Sequence, residues 1–357
     1  MTAIHQFVPT LAPRDAVGTH YLSVQAALQS AGYRSAIYAY EAKDEYANRA
    51  EFFTSFTGGV RGETTWLMYH SSVGSHVADF VNGRDEPLIV DYHNITPASF
   101  FARWEPVLEA MLAKGRRQLA QLEARASLGI GDSAFNAAEL DELGYCRTAV
   151  VPIMLDVSQL GAVAPDPAIA RLGATTWLFV GRLAPNKAQH DVVKAFAAYR
   201  RLYDAHARLR LVGASSSHRY ETTLRAFIDG LGLADAVEVT GPVSASALTA
   251  YYATADVFVV CSEHEGFCVP LLEAMHHRVP IVAYAEAAVP ETLGAGGLLL
   301  DTKDAYTVAT AVDRVVTDGA LRSQLVDAGA LRLRDFDLDH SRRKLLDAIG
   351  SVVGAPQ

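Results

Sequence analysis

Cysteine is scarce in this chain: Cys146, Cys261 and Cys268 are the only three among 357 residues. An odd, low count without paired spacing argues against a disulfide framework or a cysteine-built zinc site, and it fits a reducing cytoplasm. A basic excess is missing too. Thirty-one Lys and Arg face forty Asp and Glu, leaving a formal charge of −9, so a general nucleic-acid footprint is excluded and any anionic ligand must be held locally. No apolar run reaches membrane-spanning length, and the N-terminus lacks the basic region and long apolar core of a signal peptide. The expectation is a soluble, cytoplasmic protein, with peripheral contact at the inner membrane face left open. The chain also lacks a complete phosphate-binding P-loop, a Gly-x-Ser-x-Gly nucleophile turn and a compact Gly-x-Gly-x-x-Gly after a strand, which disfavours NAD-dependent oxidoreduction. Its one Asp-x-Asp run, Asp335-Phe-Asp337-Leu-Asp339, precedes the last helical pattern rather than ending a strand, so no metal is expected in the site.

What the chain does have is apolar material, 50% of its residues, in alternating short strand and amphipathic helix patterns. That alternation is the mark of parallel sheets covered by helices, and the length calls for two cores rather than one. Strands are expected at Ala36–Tyr40, Thr65–Tyr69, Leu88–Tyr92, Ser127–Gly131 and Thr148–Val151 in the first half. In the second half they fall at Trp177–Val180, Leu209–Val212, Val237–Thr240, Val257–Cys261 and Pro280–Ala283. The Ala-, Pro- and Gly-rich stretch Asp156–Thr175 reads as the linker. The expected domains are therefore 1–160 and 170–338, with a last helix at about 340–357 packing back on the first.

Chemistry concentrates where strands end. Glu265-Gly-Phe-Cys-Val-Pro-Leu-Leu-Glu273 sets two carboxylates eight positions apart across a glycine turn and a helix start with Pro270 in its first turn. A helix opening presents N–H donors and a positive dipole end, which suits phosphate. Trp177-Leu-Phe-Val-Gly-Arg-Leu-Ala-Pro-Asn-Lys187 is a strand running into a Gly181-Arg182 turn, with Lys187 five positions beyond Arg182. Two cations there can stabilise charge building on a leaving pyrophosphate, Arg bidentately and Lys as a mobile point charge. In the first half, Gly18 and Thr19 stand in a polar loop, Gln6–His20, between a short initial strand and a helix expected at Tyr21–Ala31. His93 follows strand Leu88–Tyr92 at its carboxyl end, where ligand sites of open parallel sheets gather. Asp132 and Ser133 read as helix caps, and Gly213, Ser215 and Arg219 follow another strand at a pocket rim.

Gly181-Arg182 with Lys187, then Ser262-Glu263-His264-Glu265-Gly266-Phe267 and Glu273, resembles the retaining nucleotide-sugar glycosyltransferases of family 4 in order and spacing. The resemblance implies the GT-B fold, two Rossmann-like parallel-sheet domains facing an interdomain cleft, with an N-terminal acceptor domain and a C-terminal donor domain. By position, Arg182 and Lys187 resemble that family's diphosphate clamp, Glu265 its contact to donor-sugar hydroxyls and Glu273 its ribose ligand. The backbone of Gly266, Phe267, Cys268 and Val269 would approach the sugar and distal phosphate, with Cys268 standing where many relatives have glycine. Gly18 resembles the family's first glycine loop, whose backbone approaches the donor phosphate or the acceptor, Gly181 belongs to the matched Gly-Arg turn, Gly213 would form part of the donor pocket rim, and His93 corresponds to the histidine near the donor sugar. The implied reaction is metal-independent hexosyl transfer, without a cofactor, from a UDP- or GDP-hexose to a glycan, lipid-linked or small-molecule acceptor. A nucleotide-sugar epimerase of similar architecture and a non-catalytic sugar-binding protein are the competing readings.

Overall fold

A computed structural model describes residues 2–12, 16–60 and 62–354. Part of the expected loop 6–20 and the last three positions of the expected terminal helix lie outside the described residues. The chain divides into two compact units, one formed by 1–99, 106–155 and 336–357, the other by 100–105 and 156–335. No helix among the described residues is long and apolar enough to cross a membrane.

The first unit carries strands β1 (Thr2–Leu11), β2 (Ile37–Ala42), β3 (Glu51–Phe52), β4 (Thr64–Ser71), β5 (Leu88–Tyr92), β6 (Ala126–Gly131) and β7 (Thr148–Val150). They make a seven-stranded sheet in the order β3-β2-β1-β4-β5-β6-β7. Every pairing within it is parallel. The second unit carries β8 (Thr176–Val180), β9 (Arg208–Val212), β10 (Val237–Gly241), β11 (Val257–Val260), β12 (Ile281–Tyr284) and β13 (Leu298–Leu300). These form a six-stranded sheet, β10-β9-β8-β11-β12-β13, again parallel throughout. In each order the chain starts centrally, builds to one edge, returns and builds to the other, as helix crossovers of one hand require.

The central strands are buried on both faces, so they read as continuous apolar runs rather than alternations. Leu88, Ile89, Val90 and Tyr92 of β5 are fully buried, as are Val257, Phe258 and Val259 of β11. One core cluster gathers Trp177, Phe196, Tyr199 and Leu211 in the second unit. Another packs Ile4, Met68, Ile89 and Ile130 against Leu345 and Ile349 of the terminal helix Leu338–Val353. Burying each such side chain stabilises by about 1.5–3 kcal/mol.

Three sequence expectations need correction. The initial strand runs to Leu11, so positions 6–11 of the expected loop 6–20 are strand, and the next helix begins at Ala16 rather than Tyr21. Gly18 and Thr19 thus lie inside the helix. The close approach that Gly18 permits is to the Ala12 carbonyl, whose oxygen a β-carbon would meet at 2.4 Å. Residues 100–105 belong to the second unit, where Trp104 meets the Tyr220 ring edge-on and Arg219 donates to the Arg103 carbonyl at 3.0 Å. Strands β3 and β13 were not expected; each has only two or three residues, too few to show a period.

Candidate active site

The second-unit site is assembled where β8, β9 and β11 end. Gly181 N–H donates to Val212 O, Leu183 N–H to Ala214 O and Gly213 N–H to Gly241 O, so adjacent strand ends are stitched together past the sheet. Gly213 adopts φ 142°, and a β-carbon on it would meet Gly181 O at 2.2 Å. Only glycine fits that crossing. Arg182 projects from the turn, exposed, and among the described residues no carboxylate pairs with it.

Lys187 closes a short 3₁₀ turn, Pro185–Lys187, and Ala188 then takes the left-handed conformation (φ 48°) to open helix Gln189–Leu202. The turn is locked to the β11 loop from both sides. Asn186 Nδ2 donates to His264 O at 3.1 Å, while Glu263 N–H donates to Asn186 O at 2.8 Å. These bonds hold Lys187 Nζ in an ion pair with Glu265 Oε2, a carboxylate only 7% exposed. Behind it, Lys303 bridges Glu263 and the buried Asp191, lying 2.6 Å from Asp191 Oδ2. Burial opposes charge on Lys303, but the two carboxylates override it and hold its pKa above the usual lysine value.

Beyond Glu265 the backbone turns through Cys268, left-handed at φ 71°, into helix Val269–His276. A left-handed residue bearing a β-carbon is uncommon, and this is the position expected to hold glycine in many members of the resembled family. Thr292 Oγ1 anchors the loop by donating to Phe267 O at 2.6 Å. The Cys268 thiol is buried and its pKa pushed well up, first by desolvation and then by Glu265, with Lys187 opposing and Glu273 adding a smaller push. Three of the expected charged residues therefore act on one sulfur. One helical turn on, Glu273 accepts from the buried Tyr252 hydroxyl at 2.7 Å. Desolvation raises the Glu273 pKa, and the tyrosine bond only partly offsets it.

The first-unit candidates lie in a different setting. His93 is buried, with Nδ1 3.0 Å from Asp132 Oδ2 and Nε2 2.9 Å from His70 Nδ1. His70 Nε2 is 2.8 Å from Gln6 Oε1, and His20 Nε2 is 2.9 Å from Asp91 Oδ2. His20, His70, Asp91 and His93 each offer a metal-ligating atom, all within 4.8 Å of one another. Burial lowers the His70 pKa to about 4. Burial works against charge on Asp91 as well, yet His93 and His20 hold its pKa well below the usual range. In Asp132 burial wins and the pKa rises. Both ring nitrogens of His93 are engaged inside its own unit. Asp132, read as a helix cap, is a histidine partner; the cap is Ser133, whose Oγ accepts from Asn136 N–H at 3.2 Å. Sequence reading missed Lys303 and Tyr252, which follow no motif, and the network of Gln6, His20, His70 and Asp91.

Residues 169–332, which contain Arg182, Lys187, Glu265 and Glu273, match the family described as glycosyl transferases group 1. They constitute a group 1 glycosyl transferase domain, and the two parallel-sheet units have the GT-B fold. Among curated relatives, a D-inositol 3-phosphate glycosyltransferase of Geodermatophilus obscurus is 33% identical over 228 residues, 59% of this chain and 49% of that protein. A GDP-mannose-dependent alpha-(1-6)-phosphatidylinositol monomannoside mannosyltransferase of Mycobacterium tuberculosis is 35% identical over 202 residues, 48% of this chain and 51% of that protein. The chain thus spans about half the length of these relatives. Among solved structures, sucrose-phosphate synthase of Thermosynechococcus elongatus superposes with TM-score 0.76 at 16% identity, covering 99% of this chain and 100% of that one. HepE of Anabaena in complex with UDP-glucose gives TM-score 0.75 at 16% identity, covering 98% and 99%.

Proposed function

We propose that this protein is a retaining, metal-independent hexosyltransferase using a nucleoside-diphosphate sugar, with UDP- or GDP-hexose as donor and a hydroxyl group as acceptor. The observation that carries the reading is the Lys187–Glu265 pair, formed beyond the ends of β8 and β11 and ahead of a helix start, with Arg182 exposed in the turn that follows β8. The curated relatives are named for transfer to inositol phosphate and phosphatidylinositol mannoside, and one solved neighbour holds UDP-glucose, which supports a nucleotide-sugar donor and a polyol, glycan or lipid-linked acceptor. A lipid-linked acceptor would bring the protein to the inner membrane face.

In this reading the donor diphosphate draws Lys187 from Glu265 and meets Arg182 and the helix start at Val269. The anomeric C–O bond breaks and its electron pair leaves with the diphosphate. The acceptor oxygen bonds the anomeric carbon on the same face, and its proton passes to the departing phosphate, so no strong enzymic base is required. Glu265, released from Lys187, grips sugar hydroxyls, while Glu273 takes the ribose. Removing one preorganised donor at a developing anion costs about 2.7–4 kcal/mol, roughly 10²–10³ in kcat. The test is Arg182→Ala assayed against a panel of nucleotide sugars and acceptors, with donor binding measured separately. A fall in kcat of that size supports the clamp; unchanged turnover rejects it. Release of a new epimer from donor without acceptor would favour an epimerase instead.

A further inference from the structure

We propose that Lys303 is a positioning residue for the donor clamp, tying the helix that follows Lys187 to the loop that carries Glu265; the proposal rests on the transferase reading above. Three pieces of chain meet at its ammonium. Asp191 stands in the first turn of helix Gln189–Leu202, four residues beyond Lys187, and Glu263 stands in the loop after β11, two residues before Glu265. Lys303 follows β13 and directly precedes Asp304, the cap of helix Ala305–Thr317, whose carboxylate accepts from Tyr306 N–H and Thr307 N–H at 3.1 Å and so fixes the chain beside the lysine. The Lys303 Nζ lies 2.6 Å from Asp191 Oδ2, pairs with Glu263 Oε1, and stands 5.8 Å from the centre of the Tyr284 ring at the end of β12.

Burial gives this bridge its hold. The Asp191 carboxylate is buried, the Lys303 ammonium mostly so, and Glu263 is half-exposed at the outer end. Ion pairs that are largely out of water are costly to break from one side, because the charges left behind stay uncompensated. Without the ammonium, Asp191 and Glu263 would face each other across the space it fills, and their repulsion would push the loop away from the helix start. Asp191 has a second partner in Lys194, but that lysine comes from the same helix and is half-exposed, so it neutralises Asp191 without reaching the loop. The Asn186 bonds to His264 O and from Glu263 N–H fix the path of the backbone; Lys303 adds a charged tie beside them, from a third strand end. In the proposed reaction Lys303 touches neither substrate. It acts through Lys187 and Glu265, whose value to a departing diphosphate depends on their being in place before the bond breaks.

The experiment compares Lys303→Met, Lys303→Arg and Lys194→Met in the full chain by two readouts: kcat/KM for the nucleotide-sugar donor, and the rate at which a thiol reagent modifies Cys268, which is buried in the loop that Glu265 opens. K303M should lower kcat/KM about 10–100-fold and speed the modification of Cys268, located by mass spectrometry. K303R, whose guanidinium can still span two carboxylates, should restore most of the rate, and K194M should leave both readouts at their wild-type values. Because Lys303 acts through Lys187, the double variant K303M/K187M should be no slower than K187M alone, whereas an unrelated structural defect would multiply the two losses. Wild-type values for K303M in both readouts overturn the proposal, and so does a multiplied loss in the double variant. Faster Cys268 modification in K303M, when the wild type itself transfers no sugar to any acceptor, upholds the tie and rejects the transferase reading instead. If K303M does not fold, Glu263→Gln, which cuts the bridge at its half-exposed end, is judged by the same two readouts.

Discussion

Replacing Lys187 with methionine removes the ammonium that faces Glu265 while keeping most of the apolar stem. Breaking a fully buried ion pair from one side costs about 3–5 kcal/mol, because the remaining charge stays buried without compensation. Here Lys187 is 19% exposed and Glu265 7%, so water can partly reach the orphaned carboxylate. The expected loss is therefore about 2–3 kcal/mol. In a unit of this size each kcal/mol shifts Tm by about 2–4 °C, so the variant should melt about 4–12 °C lower. Glu265→Gln removes the buried charge, and adding it to Lys187→Met should recover much of the loss. Urea unfolding of the wild type, both single variants and the double variant closes the cycle. A coupling of about 1–3 kcal/mol is expected, and effects that add to within about 0.5 kcal/mol would mean that the pair is a surface contact. The same variants separate stability from chemistry, since E265Q should keep its fold while losing sugar discrimination.

Other consequences can be checked with simple measurements. Gly213→Ala forces a β-carbon against Gly181 O in a backbone region closed to most residues, and should cost at least about 2 kcal/mol by denaturant titration. Gly230→Ala, with nothing within 4 Å at a helix end, should be neutral or stabilising by up to about 1 kcal/mol; equal losses in both would discredit the steric argument. The folded-state pKa of Glu273 lies above the ordinary value of 4.5, so its ionisation weakens the fold progressively as pH rises through that range. Glu273→Gln should thus match the wild type at or below that pH and gain on it as pH increases; a constant offset from pH 4 to 7 would contradict the assignment. A thiol reagent at pH 8 should modify Cys146 alone in native protein and all three cysteines in denaturant, because Cys261 and Cys268 are buried, with the Cys261 pKa pushed to about 12 and that of Cys268 raised well above its usual value. Three fast thiols in the native state would place that core wrongly.

Much of the architecture is legible in the chain because parallel strands buried on both faces write themselves as short apolar runs. Leu88–Tyr92 is found at its expected bounds, and Trp177–Val180 differs by a single residue, Thr176. Failures occur where the signal is not periodic. The segment 6–11 carries Pro9 and runs into a polar stretch, so it looks like loop, yet β1 lies between β2 and β4, and its Gln6 and His5 are buried through side-chain bonds. The motif residues Lys187 and Glu265 lie 78 positions apart and still meet, because Asn186 and the β11 loop exchange backbone and side-chain bonds that no spacing rule foresees. The histidine network is invisible for a related reason. His20, His70, Asp91 and His93 show no metal-like spacing along the chain, and only the strand register sets them side by side.

The first unit is interrupted in sequence by the second, and its core includes Leu345 and Ile349. During synthesis the inserted unit leaves the ribosome whole while its host still lacks the helix that seals one sheet face. The usual order, in which the leading domain finishes first, is thereby inverted. Until the last stretch emerges, Ile4, Met68, Ile89 and Ile130 await their covering partner, so a truncation shortly after Asp335 should leave the trailing unit sound and the leading one prone to aggregate.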